Sequence, residues 1–131
     1  MLGKGAYGAV YDGVHRETGQ KVAIKQYCKA KLKDTARRKQ VVREVKILAR
    51  LNHQNIVKLF ECIEDSEFVY IVMELVEGQS LHSFLKSQPE KRLPIQMVRN
   101  ILRQLMNTLA YMHSKAVTHR DVKLENIIVT S

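Results

Sequence analysis

Three groups of residues in this 131-residue sequence have types and spacings that could do chemistry. The first is Gly3-Lys4-Gly5-Ala6-Tyr7-Gly8, a G-x-G-x-x-G whose glycines let backbone N–H groups approach phosphates without interference from Cβ. The same residues would also suit a plain glycine hairpin. The second is the pair Lys25 and Glu44. In Val22-Ala23-Ile24-Lys25, alternation along a strand puts Lys25 on the face of the small Ala23, so a planar ligand could lie there with its phosphates near the ammonium. The alternative is an edge lysine whose stem runs out to water. Glu44 falls on the apolar side of a helical pattern, and its neighbours three and four positions away are Gln40, Val41, Ile47 and Leu48. None of them is a cation. A carboxylate buried there needs a partner from elsewhere, and Lys25 is the candidate, whereas a half-buried face would leave Glu44 in water. The third group, His119-Arg120-Asp121-Val122-Lys123-Leu124-Glu125-Asn126, gathers an acid, a cation and an amide. Asp121 could accept a proton, Lys123 could neutralise a phosphate, and Asn126 could offer a metal its carbonyl oxygen. A salt-bridged surface loop is the plainer reading of any one of them.

The elements that must hold these groups are legible from periodicity. Strands are expected at 9–14 and 21–27, joined at 15–20 by a turn with Thr18-Gly19, and then at 56–63 and 68–73, separated by Glu64-Asp65-Ser66-Glu67. Asp34 or Thr35 can cap a helix over 35–51 with Val41, Val45 and Leu48 on one face and Asn52 placed to end it. After a break at 77–79 the pattern turns helical. Ser80 can cap a helix to 86, Pro94 opens a longer one to about 114, and a loop at 117–126 leads to a short strand at 127–130. In the longer helix, apolar residues from Ile95 to Met112 cover more than one stripe, so it needs neighbours on several sides.

Composition removes several classes of function. With 45% hydrophobic and 27% charged residues, six Gly and two Pro, the chain reads as one ordinary folded domain rather than a disordered or low-complexity segment. Its longest wholly apolar run, 68–73, is six residues, against about 20 for a membrane span. No secretory leader is visible. Cys28 and Cys62 stand alone, which argues against a zinc site or disulfide framework and for two reduced, partly buried thiols. His53, His113 and the methionines at 97, 106 and 112 read as capping or core residues. The net charge of +9 arises in one segment, since residues 21–50 hold eleven Lys or Arg against Asp34 and Glu44. A basic helix at 35–51 could meet an acidic or phosphate-bearing regulatory protein. Tyr27 is the one aromatic residue there and no zinc-finger or RNA-binding signature accompanies it, which argues against nucleic acid.

A dinucleotide-binding motif would need a helix after the glycines and an acid some 20 residues on, but a strand follows and no acid lies between Gly19 and Lys33. Instead, Gly3-x-Gly5-x-x-Gly8-x-Val10, Val22-Ala23-Ile24-Lys25, the helical Glu44, and His119-Arg120-Asp121 with Asn126 five residues on follow one another as in eukaryotic protein kinases. Essentially the whole chain resembles the small lobe and the beginning of the large lobe of such a domain. Lys123 resembles the serine/threonine type, and Lys-Leu-Glu-Asn is similar, less specifically, to the calmodulin-dependent and AMP-activated group.

The resemblance implies an α+β fold: a kinase small lobe over 1–77, an antiparallel sheet plus one helix with a hinge from about 74, followed over 78–131 by the first helices and catalytic loop of the large lobe. It implies ATP and Mg²⁺ as cofactors, a protein substrate, no membrane, and a location inside the cell, in cytoplasm or nucleus. Gly3, Gly5 and Gly8 would cover the phosphates, and Lys25, held by Glu44, would contact them. Asp121 would orient and deprotonate the substrate hydroxyl, Lys123 would meet the γ-phosphate, and Asn126 would bind Mg²⁺. Leu2, Val10, Ala23, Val57 and Ile128 would enclose adenine with Met73 behind it, and the Glu74 carbonyl and Val76 N–H would bond the base. Arg120 would pair with a phosphorylated activation loop.

Three departures matter. Ser80 stands where many relatives place an acid on the ribose, and Leu124 replaces a commoner Pro. No Asp-Phe-Gly, activation loop or Ala-Pro-Glu occurs before Ser131, so the expectation is a truncated kinase in which residues 1–131 alone transfer no phosphate. The alternatives are a non-catalytic kinase-like binding module that acts through the basic helix, against which the aggregation expected from the uncovered apolar helix at Pro94 would count, or a basic nucleic-acid binder whose affinity falls with salt.

Overall fold

Residues 1, 3–4 and 8–130 are described in this computed structural model. They fall into two units, one of residues up to Asn52 together with Val57–Leu75, the other of residues 53–56 and 76–130. In the first unit, β1 (Gly3–Lys4), β2 (Gly8–Val14), β3 (Lys21–Cys28), β4 (Leu59–Glu64) and β5 (Phe68–Glu74) make one antiparallel sheet in the order β1-β2-β3-β5-β4. The β2–β3 hairpin closes where Gly19 takes a φ of 70° and its N–H donates to the His15 carbonyl at 2.8 Å. Between β4 and β5 the turn is made by Asp65, whose Oδ1 accepts from the N–H groups of Glu67 and Phe68 at 2.8 and 2.7 Å.

The helix α1 (Thr35–Arg50) starts at Asp34, whose extended backbone and Oδ1 bond to Ala36 N at 3.0 Å make it the cap in preference to Thr35. Its end differs from expectation. Leu51, with φ −100° and ψ 125°, leaves the helix extended and buries its side chain, so no left-handed turn at Asn52 is involved. Leu32, Val41 and Ile71 form the core beneath the helix, joined by the half-buried Tyr27, Val45, Leu59, Val69 and Met73. Ile71 is fully enclosed, at 0% exposure. The fourth strand begins at Leu59 rather than 56, because Ile56 donates its N–H to the His53 carbonyl in a turn that belongs to the second unit. Cys28 is half-buried, but Cys62 is exposed, since β4 is the sheet's edge.

In the second unit, β6 (Gln79–Ser80) pairs with β7 (Ile128–Val129), and Leu81 N–H donates to the Ile127 carbonyl at 2.7 Å. A Cβ at Gly78 would collide with the Val129 carbonyl, so this close approach requires glycine. Ser80 Oγ caps α2 (Leu81–Ser87) by accepting from Ser83 N at 3.1 Å. Pro94 is the cap of α3 (Ile95–Ser114) rather than its first helical residue. Thr108 and Met112 are buried, whereas Ile95, Leu102 and Met106 are 62%, 51% and 62% exposed, so the described residues cover one side of α3 alone and Met97 and Met106 are not core residues. His53 keeps the expected local role: its Nδ1 accepts from Asn55 N at 3.1 Å and its ring lies 5.0 Å from that of Tyr111. Among the described residues no helix is long and apolar enough to cross a membrane.

Candidate active site

In the first unit the residues of interest hang from the central strand β3. Alternation turns Lys25 and Tyr27 to one face, and α1 lays Glu44 over them. Lys25 Nζ lies 2.8 Å from Glu44 Oε1, and the Tyr27 hydroxyl donates to Glu44 Oε2 at 3.1 Å. Lys25 Nζ also lies 5.1 Å from the centre of the Tyr27 ring. Burial works to lower the Lys25 pKa, but the hydrogen bond and charge of Glu44, with Tyr27, outweigh it and raise the value above the ordinary lysine range. Burial likewise pushes the Tyr27 phenol up, against the opposing pull of Lys25, so at neutral pH the hydroxyl keeps its proton and acts as donor. The Lys25 side chain is about one-third exposed, so an anion can still approach it.

Around this cluster, Gly3 and Gly8 sit on β1 and β2 for different reasons. A Cβ on Gly8 would overlap the Gln26 carbonyl of β3, so packing alone demands glycine there. At Gly3 a Cβ would meet nothing within 4 Å among the described residues, so their packing does not require its lack of a side chain. Leu2 and Gly5 lie outside the described residues. Val10 is half-buried on β2, Ala23 is buried on β3 directly opposite Met73 of β5, and Val57 is half-buried just before β4. Glu74 ends β5, with its N–H donating to the Lys58 carbonyl at 2.8 Å and its Oε2 accepting from Lys58 N at 3.2 Å.

The second unit holds the other group, with Val76, Asp121, Lys123, Asn126 and Ile128. Here the geometry is local. Arg120 has a φ of 69°, a left-handed conformation that costs a non-glycine residue on the order of 1–3 kcal/mol and tends to occur at functional sites. It is followed by Asp121, whose N–H donates to His119 Nδ1 at 3.1 Å. Asp121 Oδ2 receives Lys123 Nζ at 3.2 Å and Asn126 Nδ2 at 2.9 Å, and Asn126 Nδ2 also donates to the Asp121 carbonyl at 2.8 Å. Lys123 first, then Asn126, hold the Asp121 carboxyl below its ordinary pKa, so it is a carboxylate at neutral pH. Asn126 spends its amino group on these bonds, which keeps its carbonyl oxygen for another donor or a cation. Leu124 opens a 3₁₀ turn, Leu124–Asn126, at a position where proline would fit but is not needed. Ser80 Oγ is engaged in capping α2 and is bonded to Ser83.

The sequence matches the protein kinase domain family over residues 1–131. The chain belongs to that family. Among curated proteins, this kinase-domain chain is 40% identical over 136 residues to serine/threonine-protein kinase 33 of Mus musculus, all of the chain being covered and 26% of the relative. It is 39% identical to the probable serine/threonine-protein kinase fhkC of Dictyostelium discoideum, covering all of the chain and 22% of that protein. With CBL-interacting protein kinase 25 of Oryza sativa subsp. japonica it shares 36% identity over 98% of the chain and 26% of the relative. The chain thus spans about a quarter of the length of these relatives. The α+β architecture expected of a kinase small lobe and the start of a large lobe is the one observed.

Residue spacing alone did not assign Tyr27 a place beside Glu44; its position two after Lys25 on a strand gives the shared face but not the hydroxyl's partner. The left-handed backbone at Arg120 had no comparable sequence sign.

Proposed function

We propose that residues 1–131 supply the nucleotide-binding lobe and catalytic loop of an ATP- and Mg²⁺-dependent protein serine/threonine kinase. The observation that carries this reading is the 2.8 Å contact between Lys25 on β3 and Glu44 on α1, residues 19 apart in sequence, in a chain of the protein kinase family. An ammonium tied to one carboxylate oxygen and still partly open can meet the phosphates of a nucleotide, with Gly3, Gly5 and Gly8 covering them from the hairpin. Leu2, Val10, Ala23, Val57, Met73 and Ile128 would enclose the base, which Glu74 and Val76 would bond through their backbones. Residues 1–77 and 78–131 are assigned on this basis to the small lobe and the start of the large lobe.

The donor set suits both groups. Asn126 offers a hard oxygen to Mg²⁺, an ion that is commonly bound by one or two protein ligands plus substrate phosphates, and no group of three or more His, Cys, Asp or Glu able to cage a metal occurs among the described residues. Bound there, Mg²⁺ would supply charge neutralisation. Asp121, ionised and fixed by Lys123 and Asn126, would accept the proton of a serine or threonine hydroxyl, and Lys123 would then face the transferring phosphate. These 131 residues contain no Asp-Phe-Gly, a principal Mg²⁺ ligand motif, so by themselves they should bind nucleotide and transfer no phosphate. On this reading the activity would lie inside the cell, in cytoplasm or nucleus.

Calorimetric titration with MgADP tests the reading. Lys25→Ala should weaken binding about tenfold or more, while Asp121→Asn should leave it within twofold. Equal affinity in wild type and Lys25→Ala would sink it. A second reading, a non-catalytic module that docks a regulatory protein, is favoured by the one-sided charge of α1, where six Lys or Arg accompany the lone acid Glu44. It predicts binding of an acidic protein that weakens with salt and is lost when Arg38 and Lys46 are both changed to Glu.

A further inference from the structure

Lys25 is held by a carboxylate that has two oxygens, and only one of them touches the lysine. The other, Oε2, is held by Tyr27, two residues along the same strand. A carboxylate swings freely about its terminal bond, which has broad, two-fold preferences, and a lysine reaches it on a flexible four-carbon stem. A single contact between two such groups fixes neither. Tyr27 differs in kind. Its ring packs against the Leu32, Val41 and Ile71 core, and two side-chain torsions place its hydroxyl. The helix that carries Glu44 packs the buried Val41 and the half-buried Val45 on that core, and the bond from Tyr27 to Glu44 adds a polar tie between helix and sheet.

We propose that Tyr27 is a positioning residue: its hydroxyl fixes Oε2 of Glu44 so that Oε1 stays on Lys25 and the ammonium is presented in one place to a nucleotide phosphate. The proposal rests on the reading of Lys25 as the phosphate-binding group. Tyr27 itself touches no substrate. It passes the rigidity of the core to a salt bridge whose own members are mobile, and it does so without adding a charge that would compete with the phosphate for Lys25.

Trace acylation of the intact chain with acetic anhydride tests this, with the rate at Lys25 read by peptide mass spectrometry against the exposed Lys86 of α2. Tyr27→Phe keeps the ring and removes the hydroxyl. Glu44 then loosens its hold, and Lys25 should react roughly three- to tenfold faster at neutral pH, with the midpoint of its rate–pH profile moved down. In a Glu44→Gln background the same change should alter the rate less than twofold, because the coupling partner is gone. MgADP affinity should fall by a similar factor in the first background and not in the second. An unchanged Lys25 rate, or an equal change in both backgrounds, overturns the proposal, the latter by showing that Tyr27 acts through packing. Should Tyr27→Phe not fold, the phenol titration in Glu44→Gln decides, since loss of the carboxylate must lower the Tyr27 midpoint and an unmoved midpoint overturns the clamp. Coupling at Lys25 without MgADP binding by the wild type would support the clamp and remove the nucleotide reading. MgADP binding that needs Lys25 but shows no coupling would do the reverse.

Discussion

The Lys25 cluster and the Asp121 loop solve the same problem, holding a charged group in a chosen place, by opposite means. Lys25, Tyr27 and Glu44 come from a central strand and a helix 17 to 19 residues away, and they meet only because the sheet and its core bring them together. Asp121, Lys123 and Asn126 lie within five residues of one another and are tied by their own hydrogen bonds in an exposed loop entered through a left-handed Arg120. The first arrangement is as strong as the packing beneath it. The second is as strong as a few solvent-exposed bonds, so its precision depends on backbone shape.

The comparison can be broken first at the core. Ile71 is fully enclosed and lies directly across from Lys25 in the sheet, so Ile71→Ala should cost about 2–4 kcal/mol by urea denaturation and free Lys25 toward acylating reagents. Next comes Gly78→Ala, whose methyl must displace the Val129 carbonyl of β7. A loss of about 1–3 kcal/mol, with faster amide exchange at Leu81, is expected on thermal or denaturant unfolding. Asp34→Ala removes the cap of the helix that bears Glu44 and should cost about 1 kcal/mol by the same measurement.

The smallest effects are electrostatic, and they separate the two regions by pH. Asp121 has a lowered pKa, so its contribution to stability is present above the ordinary 3.8 and is lost as the pH falls through the depressed value. Lys25 has a raised pKa, so its contribution is fully present below 10.5 and is lost as the pH rises through the elevated value. Lys123→Met should move the Asp121 carboxyl resonance midpoint upward in an NMR titration and leave the Lys25 profile untouched. An Asp121 midpoint that stays in place would mean that Lys123 does not set it.

What the sequence reveals follows the same division. Long-period features, the strands on either side of Thr18-Gly19, the helix from Asp34, and the face that sets Glu44 toward Lys25, are visible because alternation and helical spacing repeat over many residues. Features made by one or two residues are not. The two-residue strand at Gln79–Ser80 exists because Ile128–Val129 lies beside it, and no local pattern announces a partner so far along the chain. The end of α1 at Leu51 is set by burial of that side chain, where local chemistry pointed to Asn52. At Tyr27 the strand alternation was visible, but a phenol on a core face reads as packing until its hydroxyl partner is seen.

The short ribbon of Gln79–Ser80 with Ile128–Val129 makes everything between them a closed circuit, entered and left at one gate. Because lengthening such a circuit costs only slowly growing entropy, the exposed bend at Glu90 and Lys91, already left-handed, is a natural place to splice in a reporter or an affinity handle while the gate stays shut.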